Sequence, residues 1–194
     1  MKRPHTFFPI VMGLISIALF FNSGCEQYDY ASPGAGILEV RLRTVSTNIE
    51  FRELNNFVLT LTELIAYRND GARMPVYQDV KAIDRKTASY NTLQPKARDS
   101  SLVIGQAYVP PGDFVSINML MTPGINVILD GYRFVPVITS ETASDVLVFE
   151  KPFKTESYKT TVVTLTIDLD CSLVKGVDWY YFYPCYYISS IQTY

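Results

Sequence analysis

Histidine is nearly absent from this sequence: His5 is the only one among 194 residues, and it precedes a long apolar run at the N-terminus. If that segment is a leader, the mature chain has no histidine for Ser-His-Asp or Cys-His catalysis, and none for a zinc or copper site. Cysteine is also scarce, because only Cys171 and Cys185 accompany Cys25, which is too few for an all-thiolate zinc site. Glycine-rich nucleotide-binding patterns are absent too. The sequence therefore predicts no cofactor and no metal.

Basic residues are also fewer than acidic residues. The formal net charge is −2, and without Lys2 and Arg3 the chain keeps 15 basic against 19 acidic residues. No basic stripe remains to neutralise phosphates, which argues against nucleic-acid binding. Aromatic residues are plentiful, with 14 tyrosines and 11 phenylalanines. This composition is globular and favours β-strands.

The N-terminus carries an export signal. Lys2 and Arg3 precede an apolar run over residues 7–21, which is too short for a dedicated spanning helix and typical of a secretory leader. The next four residues, Asn22 to Cys25, resemble the bacterial lipobox. That resemblance implies that Cys25 receives diacylglycerol and palmitate and becomes the mature N-terminus, a lipid anchor in the membrane. An N-terminal anchor that is never cleaved is the alternative.

The chain then divides into three parts. Residues 1–24 are the predicted signal peptide, residues 25–36 the lipidated N-terminus and a polar tether, and residues 37–194 a single domain. Glu26 follows the lipidated cysteine, where retention in the inner membrane would favour Asp. We therefore expect an exported protein that is lipid-anchored to the cell envelope, at the outer membrane.

Beyond residue 36, short runs of alternating apolar and polar residues are separated by turn signals. This period is typical of half-buried strands, and no sustained helical period occurs. The predicted strands cover residues 37–42, 57–67, 115–122, 127–129, 132–135, 146–149, 163–170 and 179–188. About seven to nine strands bury their apolar faces most economically in two packed sheets, so we expect an all-β antiparallel β-sandwich.

The alternation also assigns faces and turns. It places Phe57, Leu59, Leu61, Ile65, Tyr67 and Val115 inward, and Thr164 and Thr166 outward. Asp130 and Gly131 predict a two-residue hairpin, and Asn69 to Gly71 a reverse turn. Residues 81–101 are the least strand-like and are interpreted as a long surface excursion with a short helical turn.

The order of these motifs resembles a family of secreted bacterial β-sandwich domains, domain of unknown function 4382. The resemblance covers most of the mature chain and rests on residues 38–42, 109–117, 130–131, 136, 152–153, 165–170 and 183–184. It includes a Pro-x-Gly-x-aromatic turn from Pro110 to Phe114. The resemblance implies a lipoprotein sandwich and implies no activity.

Two carboxylates are the only acid/base candidates. Asp168 and Asp170 are two apart in a predicted strand and would share a face at roughly 6–7 Å, a spacing loosely compatible with a glycan hydrolase. A calcium site is a further possibility because calcium takes oxygen ligands. Outward polar positions near a strand end are the simpler interpretation.

Cys171 and Cys185 are candidates for a disulfide, because an exported protein folds in an oxidising compartment. A simple hairpin across Gly176 would hold the two cysteines too far apart. A bridge therefore requires a wider loop, a bulge near Pro184, or strands that belong to opposite sheets.

An aromatic tract closes the sequence. Alternation sends Trp179, Tyr181 and Tyr183 to one face and Tyr180 and Phe182 to the other. The candidate ligand-binding aromatics are Trp179, Tyr181, Tyr183, Tyr186 and Tyr187, which could stack on sugars or anchor a protein. Packing on a partly covered sheet face is the structural alternative.

We therefore expect a non-enzymatic envelope lipoprotein that binds or scaffolds a partner at the outer membrane or cell surface. A carbohydrate-binding adhesin that uses the terminal aromatics is the alternative within binding. A carboxylate-based glycan hydrolase is the less favoured alternative.

Overall fold

The computed structural model describes residues 34–47, 56–76, 88–92, 101–129, 133–139 and 145–194. The predicted leader, Cys25, Asp130 and Gly131 lie outside the described residues. The chain from Ala31 to Tyr194 forms one compact unit. Within the described ranges, no helix is long and apolar enough to cross a membrane.

The described chain consists almost entirely of strands. They are β1 (Gly36–Val45), β2 (Asn56–Arg68), β3 (Arg73–Pro75), β4 (Ala88–Asn91), β5 (Leu102–Val109), β6 (Gly112–Leu129), β7 (Arg133–Thr139), β8 (Val146–Thr155), β9 (Thr160–Asp168), β10 (Leu173–Lys175), β11 (Tyr180–Phe182) and β12 (Tyr186–Thr193), with a helical turn, α1 (Leu169–Ser172), after β9. The predicted all-β class is confirmed. These ranges hold more strands than the seven to nine predicted. The predicted strands 115–122 and 127–129 are joined in β6, residues 179–188 are divided between β11 and β12, and β3, β4, β5 and β10 were not predicted.

The strands form two sheets. The four-stranded sheet has the order β12-β9-β1-β5, and the eight-stranded sheet has the order β10-β11-β7-β6-β2-β3, with β4 paired to β2 and β8 to β6. The pairs β1/β9 and β7/β11 are parallel, so the sandwich is mixed rather than wholly antiparallel. Parallel neighbours need a long crossover, and strands of the eight-stranded sheet provide it between β1 and β9.

The two sheets share one hydrophobic core. Leu38, Val40 and Leu42 of β1 point inward as the alternation predicts, and they join a buried cluster with Phe57, Leu59, Phe114, Ile117, Phe149, Leu165 and Phe182 from both sheets. Burial of these side chains is the main favourable term in folding. The architecture is therefore a two-layer β-sandwich.

Bulges overturn some of the predicted faces. A bulge between Leu61 and Glu63 shifts the parity of β2, so that Leu64 joins the core cluster. Ile65 is buried as predicted, although it lies outside that cluster. Tyr67 is consequently half-buried instead of inward. A second bulge makes Val115 the extra residue of β6 where Phe114 and Ser116 pair with Arg68 and Tyr67 of β2, and Val115 is 40% exposed.

Two more predicted faces are wrong because β9 lies inside its sheet, between β1 and β12. Thr164 and Thr166 are buried, although they lie on the outer side of β9. They lie opposite Arg41 and Arg43 of β1, and Tyr187 of β12 also lies opposite Thr166. Both threonines thus have a neighbouring strand on each side, and the Thr166 hydroxyl donates to the Ser189 hydroxyl at 2.7 Å.

The turns are partly as predicted. Gly71 has φ +86° and its N–H donates to the Arg68 carbonyl, which confirms the reverse turn after β2. In the β6/β7 hairpin, Leu129 lies opposite Arg133 rather than Tyr132. Of the predicted surface excursion over residues 81–101, the structure describes only residues 88–92 and 101, and residues 88–91 form β4, paired with the long β2. The predicted helical turn is not tested by these residues.

Candidate functional site

The aromatic tract is divided between the two sheets. The predicted strand over residues 179–188 is broken into β11, which pairs with β7 in the eight-stranded sheet, and β12, which pairs with β9 in the four-stranded sheet. Pro184 lies in the segment that crosses between them, where its missing N–H breaks no ladder. The β10–β11 hairpin therefore lies between β9 and β12 in the sequence but belongs to the other sheet.

A disulfide closes the base of this hairpin. Cys171 in α1 and Cys185 in the crossing segment are joined, with their Cα atoms 5.8 Å apart. The route is the wider loop considered from the sequence, because β9 and β12 are neighbours in one sheet and α1, β10 and β11 form the connection between them. The N–H of Tyr183 donates to the carbonyl of Ser172 at 2.8 Å, and the N–H of Cys185 donates to the Ser172 hydroxyl at 2.9 Å. The hairpin is thus fixed at its base by covalent and polar contacts.

The two candidate carboxylates do not share a strand face. β9 ends at Asp168, whose side chain accepts a hydrogen bond from the N–H of Asp170 and so caps α1. Asp170 accepts from the N–H and hydroxyl of Thr47, at 2.7 and 2.6 Å. Both groups therefore hold local backbone in place. No cluster of three or more potential metal ligands is found among the described residues.

The tyrosines and tryptophan of the hairpin alternate as the sequence predicts. Tyr180 and Phe182 point inward and are buried, with the ring of Phe182 5.7 Å from that of Phe57. Trp179, Tyr181 and Tyr183 lie on the outer face. The Trp179 and Tyr181 rings are perpendicular at 6.2 Å, and the Tyr181 and Tyr183 rings are tilted at 6.4 Å.

Aliphatic side chains extend this outer face across three strands. Val174 of β10 lies opposite Tyr181, and Tyr181 lies opposite Ile138 of β7. Val174 is 50% exposed and Ile138 is 44% exposed. We call Ile138, Val174, Trp179, Tyr181 and Tyr183 the aromatic patch. Sequence reasoning missed its two aliphatic members, since only the long-range pairing of β7, β10 and β11 brings them there.

The other two candidate aromatics lie elsewhere. The ring of Tyr186 faces inward, 4.7 Å from that of Phe149, and its hydroxyl accepts from the N–H of Val148. Tyr187 is 48% exposed on the outer face of the four-stranded sheet, opposite Thr166. The structure therefore brings three of the five candidates together.

An open depression of about 170 Å³ adjoins the patch at the hairpin tip and is lined by Val135 and residues 175–180. The Trp179 indole packs directly on Gly176, where a Cβ would lie 2.9 Å from its Nε1. The N–H of Gly176 also donates to the Trp179 carbonyl at 2.7 Å. The indole N–H is enclosed and has no acceptor among the described residues. These contacts pack the Trp179 indole against the backbone of Gly176.

No protein-family model matches the chain, and no curated protein matches it. The resemblance to domain of unknown function 4382 therefore stays an expectation from the sequence.

Proposed function

We propose that this chain is a non-enzymatic lipoprotein of the bacterial cell envelope, anchored through Cys25 at the outer membrane, that binds or scaffolds a partner protein through its aromatic patch. The observation that carries the proposal is a continuous outer row in which the half-buried Tyr181 lies between the exposed Val174 and Ile138. The half-buried Trp179 and the exposed Tyr183 flank this row. Single exposed apolar residues are ordinary, whereas contiguous apolar patches mark interaction sites.

The composition and geometry of the patch favour a protein partner. Tyrosine and tryptophan combine a large apolar surface with a polar tip and are enriched at protein interfaces. Perpendicular rings such as those of Trp179 and Tyr181 make a contoured surface rather than a flat stacking platform, and Val174 and Ile138 offer only apolar contact. Core packing of Tyr180 and Phe182 and the pairing of β11 with β7 hold the hairpin in place before binding, and the disulfide adds stability to it. A surface that is already ordered lowers the entropy cost of association.

Site-specific photo-crosslinking in intact cells tests the proposal. A photoreactive residue replaces Val174 in one variant and Val103 in the other. These two valines are matched, since each is 50% exposed and each lies on an outermost strand, β10 or β5. We expect one discrete crosslinked protein from position 174 and none from position 103. No crosslink at position 174, or the same product from both positions, would contradict the assignment.

A glycan is the second candidate, and the depression beside Trp179 is the observation that favours it. Lys175 and Asp178 line that depression next to the indole, and an aromatic ring with charged neighbours is suited to a sugar. A glycan array probed with the wild type, Trp179→Ala and Tyr187→Ala separates the two candidates. Binding that is lost only in Trp179→Ala would favour the adhesin. Wild-type protein that binds no glycan would exclude it.

The anchor is tested by palmitate labelling of the wild type and Cys25→Ala, together with protease shaving of intact cells. We expect label that depends on Cys25. Shaving of the labelled domain would place it on the cell surface, and protection would place it in the periplasm. Wild-type protein that takes up no label would contradict lipidation.

A further inference from the structure

The end of the sandwich at which the described chain begins has its own exposed side chains. Ala35 accepts a hydrogen bond from the N–H of Tyr158 at 3.1 Å, and the N–H of Ile37 donates to the Lys159 carbonyl at 2.8 Å. The β8–β9 loop therefore packs against the start of β1. In the sequence, residues 26–33 connect this end to Cys25. We call it the tether end.

Three tyrosines are exposed at the tether end. Tyr108 lies opposite Ile37, Ile37 lies opposite Thr160, and Thr160 and Tyr194 exchange two backbone hydrogen bonds. Tyr108 and Tyr194 thus occupy the two edges of one rung of the four-stranded sheet, and Tyr158 projects from the adjoining loop. Their exposed fractions are 56%, 71% and 81% for Tyr108, Tyr194 and Tyr158. We call these three residues the tether-end tyrosines.

Tyr158 holds an unfavourable backbone conformation. Its φ is 60°, and it is the one non-glycine residue with positive φ among those described. Side chains disfavour this left-handed region, and glycine or asparagine usually occupies such a turn. The loop is held in place because the Glu156 backbone packs against Gly36. A large aromatic residue kept at a strained loop tip is an observation that points to function.

The charges at the tether end offset each other. Lys159 pairs with Glu156 at 2.6 Å, and this hydrogen bond is the main reason why the pKa of Glu156 lies below its usual value. Both side chains remain about half exposed. Lys154, which also lowers the pKa of Glu156, lies opposite Asp113 of β6. The basic residues of this surface thus have acidic neighbours, and the tyrosines are its distinguishing feature.

The aromatic patch lies at the other end of the sandwich. β1 and β9 are parallel and both begin at the tether end, with Ile37 opposite Thr160 and Val45 opposite Asp168. β9 then leads through α1 and the disulfide into the hairpin that carries the patch. At about 3.3 Å per residue, β9 separates the two ends by nearly 30 Å.

We infer that the tether-end tyrosines rest in the phospholipid headgroup layer of the membrane that holds the Cys25 anchor, so that the domain stands upright with the aromatic patch pointing away from the bilayer. The inference depends on the anchoring proposed above. Tyrosine is enriched at membrane–water interfaces because its ring is apolar and its hydroxyl is polar. Residues 26–33, even fully extended, span only about 30 Å. Contact by the opposite end would require that connection to be stretched, whereas contact by the tether end does not.

Fluorescence quenching by lipid tests the orientation. The full-length lipidated protein is reconstituted into vesicles of phosphatidylethanolamine and phosphatidylglycerol, brominated near the top of the acyl chains. The only native tryptophan, Trp179, reports on the aromatic patch. In a Trp179→Phe background, Tyr158→Trp and, separately, Tyr194→Trp report on the tether end. Tyr187→Trp is the matched control, since Tyr187 is also an exposed tyrosine but lies near the far end of β9. Circular dichroism checks the fold of each variant.

We expect brominated lipid to reduce emission from Tyr158→Trp and Tyr194→Trp by about two-fold, since an interfacial ring lies close to the upper acyl chains. Emission from Trp179 and from Tyr187→Trp should not change. Equal quenching at both ends would show a domain lying on its side and would overturn the inference, as would no quenching at position 158 or 194. Palmitate labelling of the same preparations tests the anchor separately. Protein that is labelled with palmitate but not quenched would refute only the orientation. Protein that is not labelled would refute the anchor, and the difference in quenching between the two ends would still show whether the tether-end tyrosines contact the membrane.

Discussion

Tyr158 carries a conformational cost that a glycine at the same position would not. The left-handed backbone destabilises the folded state by about 1–2 kcal/mol for a non-glycine residue. A glycine avoids this strain, but its greater freedom in the unfolded chain lowers the free energy of unfolding by about 0.5–1 kcal/mol. We therefore predict that Tyr158→Gly raises the free energy of unfolding by up to about 1 kcal/mol, which urea denaturation measures. The ring makes no compensating burial, because Tyr158 is 81% exposed.

Tyr158→Ala serves as the control for this substitution. It removes the same ring but keeps a Cβ at φ 60°, so its stability should stay close to that of the wild type. If alanine and glycine stabilise the domain equally, the backbone is not strained at this position and the ring itself is unfavourable. A loss of stability in Tyr158→Gly would show that the ring makes contacts that favour folding.

The β10–β11 hairpin depends on two kinds of constraint. Tyr180 and Phe182 are buried in the common core, and β11 pairs with β7, while the disulfide links residues 171 and 185 at the base. Closing a loop of about 15 residues restricts the unfolded chain by roughly 3 kcal/mol in the chain-entropy model. The disulfide therefore adds stability to a hairpin that the core already positions.

We predict that the double substitution Cys171→Ser and Cys185→Ser lowers the free energy of unfolding by about 3 kcal/mol and leaves the native emission spectrum of Trp179 unchanged. Urea denaturation and fluorescence measure the two effects. Wild-type protein in a strong reductant should lose a similar amount of stability and provides the control. A shifted native spectrum would contradict the second part, because it would mean that the core contacts alone do not place the hairpin.

Sequence alternation predicted individual elements well where a strand is regular. It placed Leu38, Val40 and Leu42 of β1 inward, and it separated Tyr180 and Phe182 from Trp179, Tyr181 and Tyr183. It failed at the bulges in β2 and β6, because an extra residue reverses the parity of the strand beyond it and no local motif marks its position. It also failed for Thr164 and Thr166, because a polar residue predicts exposure only when its neighbours leave it uncovered.

The whole molecule contains features that no short segment encodes. The pairing of β1 with β9, and of β7 with β11, joins residues far apart in sequence. The same long-range pairing brings Ile138 and Val174 beside Tyr181, and it brings Tyr108, Tyr158 and Tyr194 to one end. The aromatic tract indicated a candidate site from sequence alone. The position of that site relative to the start of the domain required the topology.

The two ends of the molecule lead to a prediction about salt. Residues 25–194 hold more acidic than basic residues, and Lys159 at the tether end is paired with Glu156. We therefore expect membrane contact to come from the tyrosine rings and not from attraction to anionic lipid. Raising sodium chloride from about 0.05 to about 0.5 M shortens the screening length to a few ångströms. We predict that the quenching of Tyr158→Trp by brominated lipid does not decrease over this range.

An oligolysine peptide on the same vesicles provides the control and must dissociate. If quenching were lost at the same salt concentration at which the peptide dissociates, the contact would be electrostatic. The tether-end tyrosines would then not have the membrane-contact role proposed for them.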